Sequence, residues 1–136
     1  MSSEYDGMSG PERQVATFLS NLGLWWRYEA PVFVFDKKER PRVWTPDFYL
    51  PKLGIYIEVC GSEDIDYFYR EDIYEKNNLK VIFIHYYKSQ KWQKFLLERI
   101  MQIEDSRNRK IMEIIRSLRQ ALTRVKLEKT EQDGAS

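Results

Sequence analysis

The sequence predicts an α/β protein in which helices pack on a mixed central sheet, with a helical extension at the C-terminus. Three observations carry this expectation. An amphipathic segment near residue 10 gives way to short strand-like runs, a β-branched apolar run at Lys80–His85 follows a second helical segment, and helical spacing then persists to about residue 127. Of 136 residues, 43% are hydrophobic and 15% aromatic, enough for a core in one domain plus a modest appendage.

Residues 1–8 read as a flexible N-terminus. Ser9-Gly10-Pro11-Glu12 then opens a helix: a capping serine, an early proline, and a glutamate three residues after the cap. Val15, Phe18, Leu19 and Leu22 form its apolar stripe, which ends near Gly23. Val32–Phe35 reads as a strand, Asp36–Pro41 as a polar turn, Val43–Leu50 as a second strand and Ile55–Cys60 as a third. Residues 65–78 read as a helix, with Ile65, Phe68, Tyr69, Ile73 and Tyr74 interleaved with charges. Lys80–His85 suits a buried central strand. After a break around residues 88–90, the helical arm carries Ile111, Ile115, Leu118, Leu122 and Val125 at spacings of 4, 3, 4 and 3. This is a coiled-coil type of seam, suited either to packing on the parent domain or to a homodimer through the C-terminal helix. The polar stretch Glu104–Lys110 is expected to bend or interrupt the arm. Trp25, Trp26 and Trp44 are expected to pack the sheet against helices, and His85 to be a satisfied strand-end histidine. A disordered tail is expected over 128–136.

Apolar runs fall far short of a membrane span, and the acidic start lacks the features of a signal peptide. A single cysteine, Cys60, excludes an intrachain disulfide and a cysteine-based zinc cage, and favours an intracellular, cytoplasmic setting. The net charge of +1 conceals a split. Residues 1–87 carry 10 Lys/Arg against 14 Asp/Glu (net −4), whereas residues 88–127 carry 11 against 4 (net +7). A basic arm on an acidic body suits a polyanionic partner, and equally a solvated helix face.

The chemistry emerges from register. If residues 51–54 form a four-residue hairpin loop, Leu50 pairs with Ile55, and antiparallel pairing places Asp47 directly opposite Glu58 on one face. Facing like charges are unfavourable, and partial burial would raise one carboxyl's pKa or call for a cation between them. A hard divalent ion such as Mg²⁺ needs only one or two protein carboxylates plus water and phosphate oxygens, which makes phosphoester hydrolysis the reaction suggested.

Thr45-Pro46-Asp47-Phe48-Tyr49-Leu50, followed by Ile57-Glu58-Val59-Cys60-Gly61, resembles the core signature of the PD-(D/E)XK nuclease superfamily. The resemblance covers about residues 9–87. It implies a restriction endonuclease-like core (helix, three-stranded β-meander, helix, strand, around a mixed central sheet) within residues 9–90, followed by a basic helical extension over 91–127. It implies Mg²⁺ or Mn²⁺ as cofactor and DNA as partner, with no membrane. Asp47, Glu58 and Glu12 would be metal ligands and catalytic acids, with the Val59 backbone carbonyl supplying a further oxygen. Glu12 also completes a capping box with Ser9, and the two roles are compatible. Where the family places a catalytic lysine, this chain has Cys60. Lys76 and Arg70 on the following helix are the substitutes, against an ordinary solvated helix face for each. Arg70, Arg107, Arg109 and Lys110 are candidate nucleic-acid contacts. The expected function is a metal-dependent DNA endonuclease. The alternative is a catalytically inactive nuclease-fold protein, used for nucleic-acid binding or as an oligomeric assembly module.

Overall fold

A computed structural model describes residues 4–62, 66–88 and 90–134, except the side chain of residue 133. The expected helical position of Ile65 and the expected break at Ser89 lie outside the described residues. The chain divides into two compact units, Met1–Ile100 and Met101–Ser136.

The first unit is mixed α/β. After a 3₁₀ turn at Glu4–Gly7 come α1 (Gly10–Asn21), β1 (Arg27–Tyr28), β2 (Val32–Phe35), β3 (Pro41–Trp44), β4 (Phe48–Leu50), β5 (Ile55–Cys60), α2 (Tyr67–Lys76) and β6 (Val81–His85). The last helix, α3, runs Trp92–Gly134. Strands β1, β4, β5 and β6 form the main sheet in that order. β1–β4 and β4–β5 pair antiparallel, and β5–β6 pair parallel across α2.

The meander expected from sequence differs from the observed topology. Val43–Leu50 is not one strand. It breaks at Thr45-Pro46-Asp47, where proline removes a ladder donor. The first half, β3, pairs with β2 in a separate two-stranded ribbon, and the second half, β4, enters the main sheet beside the short edge strand β1. Likewise β6 is not central. Among the described residues it lies at an edge paired only with β5, and Ile82, Phe83 and Ile84 are buried because both sheet faces are covered.

The ribbon is shaped by its turn. Asp36 is buried, and its carboxylate accepts the Lys38 and Arg40 amides at 2.9 and 3.0 Å and the Nε atoms of Arg40 and Arg42 at 3.0 and 3.2 Å. These bonds, the Arg40 amide foremost, hold its pKa well below the usual carboxylate range. Asn77, which caps the C-terminus of α2, docks the ribbon. Its Oδ1 accepts the Phe35 amide at 2.8 Å, and its Nδ2 donates to the Phe35 carbonyl at 3.0 Å, as a neighbouring strand would.

Alternation along β5 sends Ile55 and Ile57 to one side, beside their ladder partners Phe48, Leu50 and Ile82. Buried residues of α1 (Val15, Ala16, Leu19) and of the first turns of α3 (Trp92, Leu96) complete that layer, with Phe18 and Trp92 meeting edge-to-face at 5.3 Å. On the other side Cys60 joins Phe83, Val32, Val34, Tyr67, Ile73 and Tyr74 in one cluster. In α2 the buried positions are thus Tyr67, Ile73 and Tyr74, whereas Phe68 and Tyr69 are exposed. Trp26 stacks edge-on against Phe48 and Trp44 against Tyr74, as expected of core tryptophans, but Trp25 is 71% exposed. His85 contacts the Tyr67 and Tyr87 rings. Its Nδ1 is buried without a hydrogen-bond partner among the described residues, so it is not the satisfied histidine expected.

The second unit is helical through Gly134. Glu104–Lys110 does not interrupt it, because the stretch contains neither glycine nor proline and Arg107 bonds Glu104 one turn back at 2.9 Å. Helix also extends past residue 127 into the region expected to be a disordered tail. Among the described residues, no helix is long and apolar enough to cross a membrane.

Candidate active site

The hairpin register is the one derived from sequence: Leu50 faces Ile55, Tyr49 faces Tyr56 and Phe48 faces Ile57. Asp47, the next residue out, therefore falls opposite Glu58. The ladder stops at Phe48, and Asp47 Oδ2 takes over as acceptor for the Val59 amide at 2.7 Å. On the other flank, the Asp47 carbonyl accepts the Glu29 amide at 2.9 Å, extending the β1–β4 pairing by one bond. Asp47 is thus held from both neighbouring strands.

Glu58 is buried on the side of the sheet that α2 covers. Its Oε2 accepts a hydrogen bond from Arg70 Nη1 at 3.0 Å, and its Oε1 accepts one from the Tyr74 hydroxyl at 3.2 Å. Arg70 and Tyr74 stand four residues apart on α2, so one helix face delivers both. Trp44 supports this arrangement, with the Arg70 guanidinium 6.0 Å above its ring and Tyr74 against its edge.

The electrostatics mark these two acids out. Burial, with the nearby charge of Glu12, pushes the Asp47 carboxyl up to about 6, against the lowering effect of the Val59 amide and Arg70. Burial and the neighbouring charge of Asp47 push Glu58 up to about 7, although Arg70 and Tyr74 oppose the rise. One half-exposed guanidinium does not offset the acids gathered here.

Glu12 performs the cap expected of it. Its amide donates to Ser9 Oγ at 3.2 Å, and its Oε1 accepts the Ser9 amide at 3.2 Å. Its negative charge also raises the pKa of both Asp47 and Glu58, behind burial in each case. Glu29 was not a candidate from sequence. It sits just past β1 with a positive φ of 56°, and its charge raises Asp47 as well. Tyr28, whose hydroxyl donates to the Gly7 carbonyl at 3.5 Å, has its pKa driven upward by burial and by Glu12 and Glu29. The only signal for Glu29 in the sequence was its place before Ala30-Pro31, which says nothing about Asp47.

Other expected site residues are placed differently. Cys60 is fully buried, and burial next to Glu58 pushes its thiol up to about 12, so it is neutral and unsuited to nucleophilic or ligand duty. Lys76 is not directed at the acids. Its Nζ donates to the Asp36 carbonyl at 3.0 Å and pairs with Glu39, tying the end of α2 to the β2–β3 turn. Val59 contributes its amide to Asp47. Arg107, Arg109 and Lys110 belong to the second unit, where Arg107 pairs with Glu104 and Arg109 and Lys110 are exposed.

Comparison with known proteins finds no matching family model, no matching curated protein and no matching solved structure.

Whether the donors suit a metal ion turns on their chemistry. Two partly buried carboxylates with elevated pKa values, on adjoining strands and under the negative charge of Glu12 and Glu29, form an oxygen donor set of the kind Mg²⁺ or Mn²⁺ takes. They do not form a ready cage: among the described residues, no group of three or more His, Cys, Asp or Glu is arranged to hold an ion. Two carboxylates with water and phosphate oxygens meet the need of Mg²⁺, provided that Arg70 yields Glu58 Oε2.

Proposed function

We propose that the chain is a metal-dependent DNA endonuclease with a restriction endonuclease-like core, hydrolysing phosphodiester bonds at Asp47 and Glu58. The observation that carries this reading is the pair itself: two acids on adjoining strands, each pushed well above its ordinary pKa by burial and by surrounding negative charge. Energy is stored in such a pair, and binding a cation relieves it.

Asp47 and Glu58 would hold Mg²⁺ or Mn²⁺, with Glu12 adding negative charge from the start of α1. A bound ion supplies Lewis acidity, lowering the pKa of coordinated water and screening phosphate charge. Arg70 takes the role that the family assigns to its lysine. It holds Glu58 in place through Oε2, and its remaining donors would be available to a phosphate oxygen. Tyr74 keeps Glu58 oriented throughout. Cys60 fills the core behind the site and takes no part in the chemistry.

A second reading rests on Arg70 as well. If the Arg70–Glu58 pair persists against a metal ion, the chain is a catalytically inactive relative retained for binding. One experiment separates the readings. Supercoiled, linear and branched DNA are incubated with the protein in Mg²⁺, Mn²⁺ or chelator, beside Asp47→Ala and Glu58→Ala. Cleavage by the parent in metal that is lost in chelator and in both variants supports the enzyme. Cleavage surviving both substitutions overturns it, and DNA binding with no cleavage selects the inactive reading.

A further inference from the structure

The second unit, taken by itself, is a helix with one uncovered apolar stripe. Ile111, Ile115, Leu118, Leu122 and Val125 occupy successive d, a, d, a and d positions of a heptad pattern. Ile115 is half-buried, and the other four are 52–62% exposed. Continued outward, the same seam takes in Asn108 at a, Glu104 at d and Lys129 at a. A stripe of this length left largely exposed is a surface built for a partner.

We infer that the partner is the same segment of a second copy of the chain, running antiparallel, in a two-stranded coiled coil over residues 104–129. Charge chooses both the direction and the register. In an antiparallel pair each a position faces a d position of the other helix, and g faces g while e faces e. Placing the two-fold axis between residues 116 and 117 sets Ile115 against Leu118, Ile111 against Leu122, and Asn108 against Val125. At the ends of the seam Glu104 then meets Lys129 of the second copy. At the flanks, Arg107 meets Glu128 and Asp105 meets Lys126, while Ile114 meets Ala121. Every charged contact on or beside the seam is between opposite signs.

The alternatives are worse. A parallel, in-register pair puts Glu104 on Glu104 and Lys129 on Lys129, and its flanking contacts (Arg107–Met112, Ile114–Arg119, Ala121–Lys126) contain no ion pair. Sliding the antiparallel pair by one heptad brings Arg119 onto Arg119 in one direction. In the other it buries Leu122 against Glu104 and Leu118 against Asn108. The basic residues Arg109, Lys110, Arg116 and Arg124 occupy b and c positions and are exposed, so the pairing leaves them in water. The inference is independent of the nuclease reading, since it uses none of that site's residues.

The test uses the full chain. Sedimentation equilibrium should give a species of twice the 16.5 kDa chain mass. Leu118→Asp should raise the dimer dissociation constant on the order of a hundred-fold. Lys129→Glu should weaken the dimer about three- to tenfold, and adding Glu104→Lys should restore it. Lys129 is exposed, whereas Glu104 is half-buried and paired with Arg107 of its own helix, so far-ultraviolet circular dichroism checks that each variant stays as helical as the parent. Direction is read from Ile115→Cys and Leu118→Cys, with Cys60 shielded in the core. Under oxidation neither variant should cross-link with itself, and a mixture of the two should cross-link. Self-linking by either variant alone, a single chain mass at all concentrations, or failure of the charge reversal to restore the dimer would each overturn the inference.

Discussion

Replacing Glu58 by glutamine should stabilise the protein at neutral and higher pH and flatten part of its pH dependence. Glu58 has a pKa of about 7 when folded, against the ordinary 4.5 of the exposed group. The folded state therefore binds this proton more tightly than the unfolded state. Between those two values the folded protein holds more protons, so stability falls as pH rises through the window and stays reduced above it. A rise of this size corresponds to on the order of 2–3 kcal/mol. Glutamine keeps a carbonyl acceptor for Arg70 or Tyr74 and removes the charge. Asp47, relieved of its neighbour, should titrate lower in the variant. Two other groups act on the same curve: Asp36 withdraws stability only in strong acid, and His85, whose pKa burial lowers, adds stability as pH rises toward its ordinary 6.5. Both are common to the two proteins and cancel in the difference. Urea unfolding from pH 4 to 8.5 should show the curves converging near pH 4 and separating by about 2 kcal/mol in favour of the variant above pH 7. A variant equal to or less stable than the parent at pH 8 would refute the reasoning, since it would mean that Arg70 more than compensates the buried charge.

Two further outcomes follow from the packing. Cys60→Lys should lower stability by about 2–4 kcal/mol, because the site is sealed among Val34, Tyr67, Tyr74 and Phe83 and an ammonium there is desolvated; unchanged thermal unfolding would show that the side chain escapes toward Glu58. Asn77→Ala should cost about 1–2 kcal/mol and raise amide hydrogen exchange at Phe35, since it removes the bonds that dock the ribbon on α2. Protection at Phe35 equal to the parent's would show that Val32, Val34 and the Lys76 contacts to Asp36 and Glu39 hold the ribbon without Asn77.

How far the sequence could be read varied with the range of the interaction. The cap on α1 was legible because Ser9 and Glu12 need only each other, and the amphipathic stripe behind them needed only its spacing. The hairpin was legible because its loop length fixes the register, and with it the facing of Asp47 and Glu58. The split of Val43–Leu50 was legible in principle, since Pro46 marks it, but alternation on either side of the proline conceals the break.

Other features lay beyond any local pattern. Arg70 reaches Glu58 across 12 positions of sequence and Glu29 reaches Asp47 across 18, and only the stacking of strands and α2 brings them together. Lys76 looked as available as Arg70, six residues away on the same helix, until the β2–β3 turn claimed it. Whether Cys60 opens on the site or into the core depended on where the ribbon folded over the sheet. Sequence alone thus determined which carboxylates face each other, because backbone geometry propagates along a chain. The tertiary structure decided which cation answers them and how dry they are, because desolvation and charge act through space between segments that sequence order does not connect.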